Sequence, residues 1–172
     1  AATVPFVQWG LVLSALVIGS MSPDFLYFLC LSTRCQFGHS LLGVLLFDIP
    51  TSLIVLWLFH NILKRPLVSL FPVTHQRCLI PLTNEFSFVP LWRLFNIVLS
   101  IALGALTHIV WDAFTHQHGW VVLQLPVLST PIVETSQISI KSYKLLQYGS
   151  TFLGAMLLLY WYLRWLKRAP SL

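Results

Sequence analysis

Long apolar runs alternate along this chain with short segments that are rich in proline, glycine and basic residues. A helix needs about 20 consecutive, mostly apolar residues to cross a hydrocarbon core of about 30 Å. Four stretches meet this requirement: Val4–Ser22, Leu41–Leu63, Leu91–Thr115 and Leu145–Leu166. The pattern predicts an all-α, polytopic membrane helix bundle with about four transmembrane helices, and residues 1–172 are expected to form a single integral membrane domain.

Local signals set the predicted ends of these helices. Pro23 is expected to end the first helix, and Ser40 is placed to cap the second, which Lys64-Arg65-Pro66 closes. The connection Gly119–Ser142 contains apolar runs such as Trp120–Leu123. We therefore expect an apolar interfacial loop, lying against the bilayer, before the last helix.

The composition fits this architecture, since 57% of the residues are hydrophobic and 9% are charged. Soluble domains carry about a quarter charged residues. The net charge of +5 is the difference between ten basic and five acidic residues, and the basic residues are dispersed and concentrate beside apolar segments. Because they form no patch, no nucleic-acid partner is expected, and the lipid bilayer is the predicted surrounding.

The basic residues also predict the orientation of the chain, since short cytoplasmic connections are enriched in lysine and arginine. The predicted spans place seven of them on one face and three on the other: Lys64, Arg65, Arg77, Arg93, Arg164, Lys167 and Arg168 against Arg34, Lys141 and Lys144. Both termini are therefore expected in the cytoplasm.

The three cysteines, Cys30, Cys35 and Cys78, form no Cys-x-x-Cys pair. They indicate neither a thiolate zinc site nor a disulfide framework. A single bridge between Cys30 and Cys35 stays open at this point.

The chain has only three aspartates, and each lies in or at the edge of an apolar segment, where burying a charge costs several kcal/mol. In the predicted topology, Asp24 ends the first span at the outer face and His39 begins the second span there. Asp48 follows His39 by nine residues, a rise of about 13 Å on a helix. Polar groups thus gather at one level of the membrane.

The third span brings His108, Asp112 and His116 toward the same face, at intervals of four residues. On a helix this spacing stacks the side chains about 5–6 Å apart at Cβ, so one metal ion can accept the first two. Imidazole and carboxylate together suit zinc or a similar dication, which lowers the pKa of its water ligand to about 7. A two-metal centre is also compatible with this number of candidates.

Simpler interpretations exist for each residue. A single histidine in an apolar helix usually packs or forms a hydrogen bond. Asp48 is also suited to accept a structural hydrogen bond, Asp24 to cap a helix, and both to conduct protons or cations. The convergence of the polar residues favours the metal site. His60 and His75 fall on the opposite face and His118 in a loop, so we leave these three out.

Several motifs in fixed order resemble a bacterial membrane family called domain of unknown function four-one-eight-four, and the resemblance covers nearly the whole chain. The motifs are LVIGSMSPD at Leu16–Asp24, HSLLG at His39–Gly43, DIP at Asp48–Pro50, HIVWDAFTH at His108–His116 and YKLLQYGS at Tyr143–Ser150. The resemblance implies a place in the bacterial cytoplasmic membrane or a related internal membrane.

This family is similar in motif order to inner-membrane proteins described as metal-dependent hydrolases, and more remotely to zinc-dependent phospholipase C. The similarity implies four metal ligands: Asp24, His39, His108 and Asp112. Members of the family begin with a Ser-His-containing segment before the Ala-Ala pair, whereas this sequence starts at Ala1-Ala2. One further histidine ligand is therefore expected to be missing from the sequence as given.

These inferences give a leading hypothesis: a membrane-embedded hydrolase that acts on an amphiphilic substrate, a lipid-linked ester or phosphodiester, near the outer face with a divalent metal, above all zinc. Asp48 or His116 is expected to complete a second site or to act as general base. One alternative is a non-catalytic accessory or assembly subunit, packed against partner helices or as a homo-oligomer. Another is a small cation or proton transporter.

Overall fold

The computed structural model describes residues 10–32, 34–134 and 139–167. Its helices are α1 Leu13–Met21, α2 Phe25–Cys30, α3 Leu41–Gly43, α4 Ile49–Leu58, α5 Lys64–Ser69, α6 Val73–Leu79, α7 Leu91–Thr115, α8 Trp120–Gln124, α9 Pro126–Ser129 and α10 Ser142–Lys167. Two antiparallel strands, β1 Pro131–Glu134 and β2 Ser139–Lys141, form a hairpin.

Within these residues, three helical stretches are long and apolar enough to cross a membrane: Leu13–Cys30, Leu41–Ser69 and Leu91–Gln124, here called the first, second and third spans. They confirm the all-α membrane helix bundle. The fourth predicted span lies within α10, which forms a helix of 26 residues. It is less apolar than the other three because tyrosines, tryptophans and Gln147 interrupt its leucines.

The first span differs from the prediction at both ends. Residues 4–9 of the predicted helix lie outside the described residues, and α1 begins at Leu13. Pro23 does not end the span, because a 3₁₀-helical turn, Ser22–Asp24, joins α1 to α2. Pro23 stands in the first turn of that segment, where a backbone N–H would have no hydrogen-bond acceptor within the helix, so its missing N–H costs little.

The second span extends beyond the predicted end at Leu63 and continues through α5. Two π-helical turns interrupt it, Val44–Asp48 and Phe59–Leu63. Pro66 is accommodated just after the second π turn, where the hydrogen-bond register already changes. The predicted cap is confirmed, since the Ser40 hydroxyl oxygen accepts a hydrogen bond of 2.9 Å from the Gly43 N–H.

The chain forms two compact units, Ala1–Ile109 and Val110–Leu172, which we describe separately; the prediction of a single domain stays a prediction. In the second unit, the predicted interfacial loop forms α8, α9 and the hairpin, of which residues 135–138 lie outside the described part. Trp120, Leu123 and Ile132 are exposed, as a segment lying against lipid requires.

In the first unit, side chains from all three spans meet in an apolar core made of Ala15, Leu56, Ile97 and Ile101. These four residues are fully buried. Because lipid tails are as apolar as leucine, close packing must hold such a core together in a membrane. The first span consequently depends on small residues where it meets the third.

Two glycines provide this close approach. A Cβ atom at Gly19 would overlap the backbone of Ile101, and one at Gly104 would overlap the carbonyl oxygen of Leu16. Small residues let helix backbones approach closely in membranes. The pair fixes the end of α1 against α7, one turn before His108.

Candidate metal centre

Three of the predicted ligands lie together in the first unit. The Oδ1 atom of Asp24 is 3.5 Å from Nε2 of His39 and 3.7 Å from Nε2 of His108. One ligand atom from each residue lies within 4.8 Å of the other two. We call this group the ligand cluster.

The spacing of the ligand cluster fits one metal ion. Direct N–H···O hydrogen bonds have donor–acceptor distances of about 2.7–3.2 Å. The contacts of Asp24 with His39 and His108 are both longer than a hydrogen bond. Ligand atoms about 2.0–2.1 Å from a tetrahedral zinc ion lie about 3.3 Å from one another. The two separations from Asp24, 3.5 and 3.7 Å, are slightly wider than this value.

The orientation of His108 follows from the contact between the first and third spans. Because Gly19 and Gly104 let the backbones meet, the carbonyl oxygen of Ser20 lies 2.8 Å from Nδ1 of His108. A carbonyl only accepts, so Nδ1 carries the proton and donates it. Nε2 of the neutral ring then presents its lone pair toward Asp24, as metal-ligating histidines do.

The orientation of His39 depends on Tyr27, which lies one turn after Asp24. The two rings stack with their centres 5.1 Å apart, and the Tyr27 hydroxyl lies 3.3 Å from Nδ1 of His39. A disulfide between Cys30 and Cys35 ties the end of α2 to the 3₁₀ turn Gln36–His39. This bridge, which the sequence left open, restrains the loop that connects Asp24 to His39.

The ligand cluster is accessible from one side. The side chains of His39 and His108 are 17% and 20% exposed, whereas that of Asp24 is 43% exposed. The carboxylate therefore faces an open side, while the imidazoles are held by their neighbours. Such a site can admit a substrate beside a bound ion.

Asp48 lies beside the ligand cluster and is fully buried. A Cβ atom added to Gly38, the residue before His39, would stand 3.2 Å from the Oδ1 atom of Asp48. Neither carboxylate oxygen has a hydrogen-bond partner among the described residues. A buried carboxylate in this state requires compensation, which a cation at the ligand cluster would supply.

Asp112 and His116 belong to the second unit. Nδ1 of His116 lies 3.3 Å from Oδ1 of Asp112, one helical turn apart. This contact confirms the predicted stacking for Asp112 and His116 only. The roles of Asp112 as a metal ligand and of His116 as a general base stay predictions, as do those of the other site residues.

The sequence interpretation missed the groups that orient the ligands. Tyr27 carried a usable signal, because it follows Asp24 by three residues and so shares its helical face. The Ser20 carbonyl gave no signal in the sequence, since every residue has a backbone carbonyl. Its role depends on the approach of two glycines that are distant in sequence.

The fold and the ligand cluster define a small polytopic membrane protein in which a carboxylate and two imidazoles meet at the start of the second span. The family model described as "Domain of unknown function (DUF4184)" matches residues 1–172, and the chain belongs to this family. No curated protein and no solved structure matches the chain. The further similarity to metal-dependent hydrolases stays a prediction.

Proposed function

We propose that the protein is a membrane-embedded, metal-dependent hydrolase that acts on a lipid-linked ester or phosphodiester. The observation that carries the proposal is the convergence of Asp24, His39 and His108, with both Nε2 atoms within 3.7 Å of one carboxylate oxygen. When bound there, a zinc-type ion would lower the pKa of a water molecule to about 7 and so supply a nucleophile at neutral pH.

The residues around the ligand cluster support this chemistry in distinct ways. Ser20 and Tyr27 fix the imidazoles, and the buried Asp48 carboxyl lies next to Gly38, the neighbour of His39. Under the proposal, Asp48 also accepts a proton from water or passes one to the leaving group, as a general base and acid. The half-exposed Asp24 marks the side on which the ester or phosphodiester approaches.

The position of the site supports an amphiphilic substrate. The ligand cluster is built from the first span, the turn that precedes the second span, and the third span, where a lipid head group is the nearest abundant ester. The distribution of basic residues supports a position of this end of the spans at the outer face of the bacterial cytoplasmic membrane. The Cys30–Cys35 disulfide supports the same assignment, because disulfides persist in oxidising compartments.

An apolar layer favours the enzyme over the transporter. A transporter requires a polar path to the opposite face. Along the second span, Asp48 and Ser52 are followed after four residues by Leu56, which packs fully buried against the core. This layer separates the ligand cluster from His60, the next polar group on that face.

The experiment is a hydrolysis assay with the full chain, purified in neutral detergent and loaded with zinc. The probes are bis(4-nitrophenyl) phosphate and 4-nitrophenyl palmitate in mixed micelles. We expect turnover of one probe that falls at least a hundredfold in the His108→Ala and Asp48→Asn variants. The matched control is His118→Ala, which removes an exposed histidine outside the ligand cluster.

Two results bear directly on the proposal. Equal activity in His108→Ala and His118→Ala would assign the turnover to a contaminant. A zinc-loaded, folded protein that cleaves neither probe, nor a panel of bacterial phospholipids in vesicles, would refute the hydrolase and favour the accessory-subunit alternative.

A further inference from the structure

A second group of polar side chains lies at the other end of the second and third spans, in the first unit. The Nζ atom of Lys64 lies 3.5 Å from Nδ1 of His60 and 3.3 Å from the carbonyl oxygen of Asn84. The guanidinium carbon of Arg93 lies 5.4 Å from the centre of the Phe86 ring. Since the His60 and Phe86 rings stack 3.9 Å apart, both cations contact one aromatic pair.

The charges of Lys64 and Arg93 are not neutralised by a carboxylate in the described part of the chain, where the ion pairs involve Asp24 and Asp112. Glu85, the nearest carboxylate to Arg93 in sequence, is exposed. The Nε atom of Arg93 is buried and has no hydrogen-bond partner among the described residues. Two cations held in this way favour a bound anion.

His60 supplies no negative charge to this group. A lysine ammonium only donates, so Nδ1 of His60 accepts from Lys64. Nε2 therefore carries the proton and donates to the Ser14 hydroxyl at 3.0 Å, which leaves the ring neutral. The hydrogen bonds fix the ring, and the ring in turn fixes the two cations.

An apolar groove of about 320 Å³ begins beside this group, lined by Leu53, Ile54, Trp57, Phe88 and Leu94. The Phe88 ring packs edge-on against Phe86, with ring centres 5.2 Å apart. One wall of the groove therefore contacts the aromatic ring that Arg93 covers. Its outer wall faces away from the core, since Ile54 is 61% exposed and Trp57 is 49% exposed.

We infer that this site binds one anionic phospholipid, with its phosphate between Lys64 and Arg93 and an acyl chain in the groove. Charge complementarity selects the anionic head group, and a groove in the wall of a membrane span selects a lipid over a soluble anion. The basic residues assign this end to the cytoplasmic face, whose leaflet attracts basic segments through its anionic lipids. The inference is independent of the proposed hydrolase.

The experiment uses the full chain in nanodiscs of phosphatidylcholine with increasing phosphatidylglycerol, and native mass spectrometry counts the lipids retained on release. We expect the wild type to retain phosphatidylglycerol in preference to phosphatidylcholine. Lys64→Gln and Arg93→Gln should each lower this preference about fivefold, the effect of one cation near an anionic surface. Arg65→Gln is the matched control, because Arg65 is an exposed cation beside Lys64.

Further variants separate the charges from the fold and from the groove. Lys64→Arg and Arg93→Lys keep the charges and should keep the preference. Ile54→Trp fills the groove from an exposed position and removes no charge. It should lower the retention of both phosphatidylglycerol and phosphatidylcholine. Circular dichroism checks that each variant keeps its helices.

Three results would overturn the inference. The first is an Arg65→Gln effect as large as that of Lys64→Gln, which would indicate general surface attraction. The second is equal retention of phosphatidylcholine by the wild type. The third is full displacement of phosphatidylglycerol by soluble glycerol phosphate, which would make the site a small-anion site instead of a lipid site.

Discussion

Replacing Asp48 by asparagine should change the stability of the protein in opposite directions without and with metal. The side chain is fully buried, and its two oxygens have no hydrogen-bond partner among the described residues. Asparagine keeps the volume and removes the charge. In the metal-free protein the substitution therefore removes a destabilising group, whereas in the loaded protein it removes a compensating charge.

The two effects differ in size. A buried polar group left unsatisfied costs about 1–3 kcal/mol, and more when it is charged. Because the asparagine amide is still buried and polar, only the extra cost of the charge is removed, and Asp48→Asn should stabilise the metal-free protein by about 1 kcal/mol. Two unit charges 4 Å apart attract by about 4 kcal/mol at an effective dielectric constant of about 20. A dication near Asp48 should reverse the sign, so that the variant is the less stable protein when loaded.

The assay is thermal unfolding in detergent, followed by circular dichroism with EDTA and with zinc. A change of 1 kcal/mol shifts the midpoint by about 2–4 °C at this chain length. Ser52→Ala is the control, since it removes another buried, unpartnered oxygen one turn away and should give the same shift in both conditions. A shift of equal sign and size for Asp48→Asn in both conditions would refute the coupling between this carboxylate and a metal.

Other substitutions test the framework of the site. Gly104→Ala should destabilise the protein by about 1–3 kcal/mol, because the added Cβ overlaps the Leu16 carbonyl. Gly154 has open space around it, so Gly154→Ala should be neutral or stabilising by up to about 1 kcal/mol in the same thermal unfolding experiment. Tyr27→Phe should weaken zinc binding about tenfold in a competition titration, because it removes the hydroxyl beside His39 Nδ1. Equal weakening by Tyr148→Phe would contradict the role of the Tyr27 hydroxyl in orienting His39. Opening the disulfide by Cys30→Ser with Cys35→Ser should cost about 2 kcal/mol of stability and lower the affinity for zinc. The control Cys78→Ser should do neither. Unchanged zinc affinity in the double variant would show that the bridge does not position His39.

The sequence predicted the elements that depend on composition and spacing. Helix α7 has the predicted bounds, Leu91–Thr115, because an uninterrupted apolar run and a preceding proline determine it. The Ser40 cap was predictable for a similar reason, since it is local. The position of Pro23 was misjudged, because a proline ends an α-helix but can begin a 3₁₀ turn.

The ligand cluster was predicted only in part. Topology predicted that Asp24, His39 and His108 converge, and the structure places these three side chains together. The contacts that aim them were beyond the sequence, because they depend on the close approach of Gly19 and Gly104. The π-helical turn that ends at Asp48 was likewise invisible, since no residue type specifies it.

The most direct test of the central claim is the metal content of the purified full chain, measured by elemental mass spectrometry after exposure to zinc and removal of free ions. We predict about one zinc per chain in the wild type and in His118→Ala, and loss of that zinc in Asp24→Asn, His39→Ala and His108→Ala. A folded wild type that takes up no zinc, manganese or iron, or variants that keep the metal, would contradict the assignment of Asp24, His39 and His108 as a metal centre.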